Sequence, residues 1–312
     1  MARILATDPL DPAAAESLRK AGHEVVERKL APDELLREIA QYDALLVRSE
    51  TKVTRAVIGV ADRLKVVGRA GVGVDNIDIA AAKERGVAVV NAPLAATNAV
   101  AELTLAHMLS LARALPRADA STRAGRWEKK GLQGVELSGR TLGLVGVGRI
   151  GARVAELAKA FGMRVVVYDP YVSAEKAREI GVTKVATAEE AVAQADFVSL
   201  HVPLTPETRN MVDAKLLARF RKGAFLLNLA RGGLVDEKAL HDAVASGHLG
   251  GAALDVFETE PLKETPLAAL PNVHFTPHLG ASTTEAQVKA GLQVAEQVRR
   301  VLAGEPAEHR VV

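Results

Sequence analysis

Residues 144–151 read Leu-Val-Gly-Val-Gly-Arg-Ile-Gly, directly after Thr141-Leu142-Gly143 and ahead of an alanine-rich amphipathic run from Ala152 to Phe161. An apolar run, a Gly-x-Gly-x-x-Gly turn and a helix in that order leave few folds open. Gly146 permits the tight turn, Gly148 lets the backbone approach a pyrophosphate, and Gly151 lets the helix pack close to the strand. The helix start adds free N–H groups and a partial positive charge for phosphates. Asp169 follows the next apolar run, Arg164–Tyr168, where it can accept hydrogen bonds from ribose hydroxyls. No arginine stands beside it, and a carboxylate repels a 2′-phosphate, so the pattern favours NAD over NADP. A lone glycine triplet says little; set among strand, helix, strand and acid it specifies a dinucleotide site.

Short apolar runs alternate with helical runs on both sides of this motif. Before it, Ile4–Thr7, Val25–Glu27, Ala44–Val47, Lys65–Val67 and Val87–Val90 read as strands. Pro12–Ala21, Pro32–Tyr42, Thr54–Ala61 and Ile77–Arg85 between them read as helices. Asn98 is then expected to cap a long helix, Ala99 to about Leu115, apolar on most faces and suited to burial between domains or against a second subunit. Pro116 ends or kinks it, and a polar stretch runs from Arg117 to Ser138. From Thr141 a second array reads as strands at Leu142–Val147, Arg164–Tyr168, Phe197–His201, Ala224–Leu229, Ala252–Val256 and Val273–Phe275, followed by one amphipathic helix, Thr283 to Ala303. The expected fold is α/β: two Rossmann-like, doubly wound parallel-sheet domains with a cleft between them. The substrate-binding domain is expected to be discontinuous, 1–97 plus 284–312, and the NAD-binding domain to span 98–283.

The 312 residues suit about two domains, and with 48% hydrophobic and 25% charged residues a large core is expected. A net charge of +2 is too small to argue for nucleic acid. The absence of cysteine excludes disulfides, thiolate catalysis and cysteine metal sites. No apolar stretch reaches membrane-spanning length, and Asp8-Pro9 interrupts the N-terminal apolar run at once, unlike a signal peptide. A cytoplasmic protein with no metal, membrane or nucleic-acid partner is the expectation.

Ligands of open α/β sheets bind outside the carboxyl ends of the strands. Past three strands of the second array stand Ala230-Arg231-Gly232-Gly233, Phe257-Glu258-Thr259-Glu260-Pro261 and Thr276-Pro277-His278-Leu279-Gly280. A cation, a carboxylate and an imidazole thus fall at one sheet edge, a set suited to hydride transfer. Oxidising a secondary alcohol needs a base for the hydroxyl proton, and histidine works in both directions near neutral pH. A neighbouring carboxylate fixes its tautomer, and a guanidinium holds a substrate carboxylate while polarising the carbonyl. His278 is assigned as acid/base, Glu260 as its partner with Glu258 as a rival, and Arg231 as anchor and electrophile. Among the eight histidines, His201 competes with His278. The following Val202-Pro203 makes His201 look like part of the cofactor pocket wall, and His107, in the apolar helix, reads as a packing residue.

The chain resembles the D-isomer-specific 2-hydroxyacid dehydrogenases. The resemblance is carried by Val47-Arg48-Ser49, by Val66 to Asn76 (Val-Val-Gly-Arg-Ala-Gly-Val-Gly-Val-Asp-Asn), by the Gly146–Gly151 turn, by Asn228 to Gly233, by Gly251 to Phe257 and by Pro277-His278-Leu279-Gly280-Ala281-Ser282. It runs nearly unbroken from about Asp43 to Gln287. The Val66–Asn76 piece favours the family's phosphoglycerate branch, in a short form without C-terminal regulatory domains.

The resemblance implies that Arg231, Glu260 and His278 are the catalytic residues. It implies cofactor contacts at Arg149, Ile150, Asp169, Ala230, Asp255 and Gly280, with Leu229 and Ala281 beside them. Arg48 and Arg69, with Val72 and Gly73, face the substrate, as does Lys129, whose charge stands where relatives place an arginine. The expected reaction is NAD-dependent oxidation of a phosphorylated 2-hydroxy acid, D-3-phosphoglycerate, at the entry to serine biosynthesis, by a homodimer or homotetramer whose domains close over the substrate. Two alternatives stay open: a related glyoxylate or hydroxypyruvate reductase, and an NAD(H)-sensing regulatory protein. The loop Asn91-Ala92-Pro93-Leu94-Ala95-Ala96-Thr97 departs from the family's Gly-Asn-rich pattern.

Overall fold

Most helices of this chain begin at a short polar side chain that accepts a hydrogen bond from the first turn. Asp11 accepts the N–H of Ala13, Thr54 that of Val57, Asp78 that of Ala81, Asp236 that of Ala239 and Thr283 that of Ala286. Each such cap contributes about 1 kcal/mol. These stops and starts cut the chain into alternating strands and helices. The computed structural model describes all residues from Met1 to Val312, in two units: Met1–Thr97 with Ala281–Val312, and Asn98–Gly280.

In the first unit the order is β1 (Arg3–Ala6), α1 (Pro12–Lys20), β2 (Glu24–Glu27), α2 (Pro32–Glu38), β3 (Ala44–Val47), α3 (Arg55–Gly59), β4 (Val66–Arg69), α4 (Ile79–Glu84) and β5 (Ala88–Asn91). The five strands are parallel, in the order β2-β1-β3-β4-β5. Strand side chains alternate between faces. Leu45 and Val47 join a core with Leu35 of α2, Ile39 just after it, Val57 of α3 and Ala81 of α4, while Ala44 and Leu46 join one with Ala14 and Leu18 of α1 on the opposite face.

The second unit carries α5 (Thr97–Arg113, its first residue at the boundary), α6 (Leu115–Arg123), β6 (Thr141–Val145), α7 (Arg149–Ala160), β7 (Arg164–Tyr168), α8 (Ala174–Ile180), β8 (Thr183–Lys184), α9 (Ala188–Gln194), β9 (Phe197–Leu200), α10 (Ala214–Leu217), β10 (Phe225–Asn228), α11 (Glu237–Ala245), β11 (Gly251–Leu254) and β12 (Val273–Phe275). Its seven strands are parallel, in the order β12-β11-β10-β9-β6-β7-β8. The order reverses at β6, where β9 lies on one side and β7 on the other, and that reversal is where doubly wound sheets bind dinucleotides. Phe197 and Phe225, directly opposite on β9 and β10, stack with centroids 5.0 Å apart.

The last helix, α12 (Thr284–Leu302), returns to the first unit, where Val294, Ala295 and Val298 join the same core as α1. The chain end then pairs with the edge strand β5: Val311 N–H donates to Val89 at 2.7 Å and Val89 N–H to Val312 at 3.1 Å.

The helix expected over Ala99–Leu115 differs in detail. It begins at Thr97, so Asn98 lies in its first turn instead of capping it, and the Asn98 side chain accepts a bond from Arg153 Nε at 2.9 Å. It breaks at Ala114, which adopts a left-handed φ of 47°; Pro116 sits inside the first turn of α6, where its missing N–H costs nothing. Part of the expected polar stretch is therefore helical. The span Pro32–Tyr42 is α2 followed by a 3-10 turn, Ile39–Gln41. β8 went unread because its two residues are exposed and carry no apolar alternation. No helix is long and apolar enough to cross a membrane.

Candidate active site

Gly146 takes φ +91°, a value open to glycine at little strain, and a Cβ there would stand 2.6 Å from the carbonyl oxygen of His201. A Cβ on Gly151 would stand 2.6 Å from the carbonyl oxygen of Gly146, so α7 lies against the turn that starts it. Gly148 differs: a Cβ there meets nothing within 4 Å. Gly148 is also the N-cap of α7 and supplies no capping side chain. Space is thus open beside Gly148, where α7 begins with the N–H groups of Arg149 and Ile150 in its first turn, and these residues fit a pyrophosphate. Asp169 follows β7. Its Oδ2 accepts the N–H of Val147, inside the glycine turn, at 2.9 Å, and its Oδ1 accepts that of Tyr171 at 2.9 Å. The remaining lone pairs of this partly buried carboxylate are open to ribose hydroxyls.

His201, just past β9, directs Nε2 to Ser199 Oγ at 2.9 Å, and burial pushes its imidazole down to about 4. It is neutral near pH 7, and it lines the glycine turn together with Val202, whose side chain also approaches Gly146. Pro203 follows, exposed.

β10, β11 and β12 are consecutive neighbours in the sheet, so the loops that follow them are neighbours too. Arg231 leaves β10 through Leu229 and Ala230. Asn228 fixes that turn: its Nδ2 donates to the Arg231 carbonyl at 2.8 Å and its Oδ1 accepts Ala230 N–H at 3.1 Å. Arg231 Nη1 donates to the Ala230 carbonyl at 2.7 Å. A Cβ on Gly232 would overlap the Phe257 carbonyl oxygen at 1.7 Å, so only glycine lets the loop after β10 run against the loop after β11. On that second loop Glu260 Oε1 accepts Phe257 N–H at 3.1 Å, and Oε2 lies 2.8 Å from Nδ1 of His278. The partner of the imidazole is Glu260, not Glu258, whose N–H bonds instead to Glu237.

His278 holds a left-handed φ of 53°, which costs a non-glycine residue roughly 1 kcal/mol or more. Its own N–H is pinned to the Asp255 carbonyl at 2.8 Å. The fully buried Asp255 side chain holds the rest of the loop: Oδ1 accepts the Thr276 hydroxyl at 2.6 Å and Leu279 N–H at 2.7 Å, and Oδ2 accepts Gly280 N–H at 2.8 Å. His107 Nε2, from α5, meets Thr276 Oγ1 at 3.0 Å, and burial lowers the pKa of His107. Sequence does not show this frame of His107, Thr276 and Asp255; an acid directly after an apolar strand is its only signal there. Asp255, expected as a cofactor contact, spends its carboxylate on the histidine loop. Ala281, directly after Gly280, falls in the first unit.

The remaining expected residues are placed within their own units. Arg48, past β3, and Arg69, at the end of β4, stand at the carboxyl edge of the five-stranded sheet. The Arg69 guanidinium folds over Gly71, and Asn91 Nδ2 donates to the Val72 carbonyl at 2.6 Å, just before Gly73. A cavity of about 200 Å³ opens beside Arg48, lined also by Leu10, Asp11, Ala70 and Gln287. Lys129 is exposed on a 3-10 turn, Lys129–Leu132, and joins none of these contacts. A larger cavity, about 600 Å³, lies at the opposite edge of the seven-stranded sheet, among Thr141, Lys159, Arg164, Thr183 and Arg221. It includes none of the fingerprint residues, and the helix ends around it (α7, α8, α9) are C-terminal, the wrong polarity for a phosphate.

Residues 105–280 match the model of the D-isomer specific 2-hydroxyacid dehydrogenase NAD binding domain. The D-3-phosphoglycerate dehydrogenase of Methanocaldococcus jannaschii is 53% identical over 311 residues, covering 100% of this chain and 59% of the relative. That of Synechocystis is 46% identical, covering 100% and 56%. The chain thus spans little more than half the length of these curated relatives. Among solved structures, the TT0316 protein of Thermus thermophilus superposes with a TM-score of 0.92 at 40% identity, covering 99% of this chain and 100% of that one. A glyoxylate reductase from Paecilomyes thermophila gives 0.91 at 30%, covering 99% and 98%. With more than half its length matched by the family's NAD-binding domain and a solved relative covered end to end, the chain belongs to the D-isomer-specific 2-hydroxyacid dehydrogenase family.

Proposed function

We propose that the protein oxidises D-3-phosphoglycerate to 3-phosphohydroxypyruvate with NAD. The observation that carries the reading is the 2.8 Å contact between His278 Nδ1 and Glu260 Oε2, on the loops next to that of Arg231. Glu260 draws the imidazole proton to Nδ1, which leaves Nε2 to take the proton from the substrate hydroxyl, and the carboxylate then stabilises the imidazolium. Arg231 binds the substrate carboxylate and polarises the C–O bond as it becomes a carbonyl. NAD, when bound at the glycine turn, supplies the hydride acceptor; Gly148, the α7 N–H groups and Asp169 are the residues to hold it.

The phosphorylated substrate is favoured by the names of the curated relatives and by the cations of the first unit. 3-Phosphoglycerate carries a carboxylate and a phosphate, and one guanidinium does not neutralise both. Arg48, beside its cavity, and Arg69 supply further positive charge. The test is NADH formation across a panel of D-2-hydroxy acids with and without phosphate, repeated with Arg69→Ala. That substitution is expected to weaken phosphoglycerate far more than an unphosphorylated acid; equal losses contradict the phosphate assignment. A homodimer is part of the reading, on the apolar character of the Thr97–Arg113 helix. A monomer by light scattering contradicts it.

A further inference from the structure

The loop after β3, Arg48-Ser49-Glu50-Thr51, is gripped from two sides by side chains distant in sequence. From the end of β1, the Asp8 carboxylate, 5% exposed, accepts Arg48 N–H at 2.6 Å and Thr51 N–H at 3.2 Å through Oδ2, and the Thr51 hydroxyl at 2.6 Å through Oδ1. From beyond β4, Asn76 Nδ2 donates to the carbonyls of Arg48 at 2.9 Å and Thr51 at 2.7 Å. The N–H and the C=O of both Arg48 and Thr51 are therefore held by two side chains. Asn76 is itself anchored, its carbonyl accepting Val53 N–H at 2.8 Å.

The residue types fit these tasks. Three donors converge on Asp8, and a carboxylate accepts all three without offering a hydrogen of its own. Two carbonyls converge on Asn76, and an amide NH₂ is the matching double donor. A buried carboxylate with fewer partners would be costly, so the frame and its acid specify one another.

We propose that Asp8 and Asn76 are positioning residues for substrate recognition. They fix the backbone of Arg48, and with it the direction in which the guanidinium leaves the sheet edge. The proposal rests on the reading of Arg48 as a contact to a substrate anion. Neither Asp8 nor Asn76 touches substrate in this account. They act because a guanidinium fork pairs with an anion over a narrow range of angles.

The test is steady-state kinetics of the full chain with D-3-phosphoglycerate and NAD, alongside NAD affinity by calorimetry. The variants are Asp8→Asn, Asn76→Asp, Arg48→Ala and the double variant Asp8→Asn/Arg48→Ala. Each loop variant is expected to raise KM about tenfold, with kcat changed less than about threefold and NAD affinity unmoved. The double variant is expected to be no worse than Arg48→Ala alone, since both losses pass through one side chain. Should Asp8→Asn fail to fold, Thr51→Val removes only the hydroxyl bond and is expected to raise KM about threefold. Unmoved KM in folded loop variants, or additive losses in the double variant, overturns the proposal while wild-type turnover still upholds the parent reading. A wild type that forms no NADH from phosphoglycerate overturns both.

Discussion

Glu260 faces His278 with one carboxylate oxygen, 2.8 Å from Nδ1, while its other oxygen is tied to the Phe257 N–H at 3.1 Å. The backbone bond aims the carboxylate, and the carboxylate selects the imidazole tautomer. Glu260→Gln keeps a group that can hydrogen-bond but cannot stabilise an imidazolium. It is expected to lower kcat about 10²-fold with NAD affinity unchanged; stopped-flow or steady-state NADH formation beside calorimetry measures both. A kcat within twofold of wild type would remove Glu260 from the chemistry.

The glycine turn makes a paired prediction. Gly151→Ala places a methyl group 2.6 Å from the Gly146 carbonyl oxygen, so it is expected to destabilise the protein by about 1–3 kcal/mol even without ligand. Gly148→Ala meets no protein atom within 4 Å. It is expected to shift denaturant unfolding by less than about 1 kcal/mol, the cost of a poorer N-cap, and to weaken NAD at least about tenfold, because the methyl occupies the space proposed for the pyrophosphate. Equal unfolding midpoints for the two variants would contradict the distinction.

Asp169 joins two tasks, accepting Val147 N–H from the glycine turn and facing the proposed ribose position. Calorimetry of the wild type is expected to show NAD bound at least about 10²-fold more tightly than NADP. Asp169→Ala should narrow that gap by weakening NAD, since it also releases the Val147 N–H. Comparable affinities for the two cofactors in the wild type would contradict the role of Asp169.

The architecture was legible where local chemistry repeats. Alternating apolar runs bounded by capping residues marked most strands, and Arg231, Glu260 and His278 stood out because each follows such a run at the ligand-binding edge of a parallel sheet. What was not legible depends on residues brought together from far apart. Asp8 and Thr51, or His107 and Thr276, bond across long stretches of chain, and no spacing rule announces them. The break after α5 is hidden for a different reason: Ala114 takes a left-handed φ, a conformation alanine seldom adopts, while the nearby Pro116 is the more obvious breaker and instead sits in the first turn of α6. Glu260, assigned from the sequence over its rival Glu258, is the carboxylate found 2.8 Å from the imidazole.

Two buried histidines, His107 and His274, and the half-buried His201 are expected to make the second unit sensitive to acid. Burial pushes His201 to about 4 from an ordinary 6.5 and lowers His107 and His274 as well. Between those values the unfolded chain binds more protons than the folded one, so stability is complete above about pH 6.5 and falls as pH drops toward 4. Urea unfolding at stepped pH is expected to show this slope, and His201→Gln to flatten it. An unchanged slope in the variant would contradict the burial argument.

The most direct test of the whole account compares wild type with His278→Ala, following NADH absorbance with D-3-phosphoglycerate and NAD while calorimetry follows NAD binding. The account predicts steady NADH formation by the wild type, none detectable from the variant, and equal NAD affinity in both. Turnover by His278→Ala at the wild-type rate would contradict it.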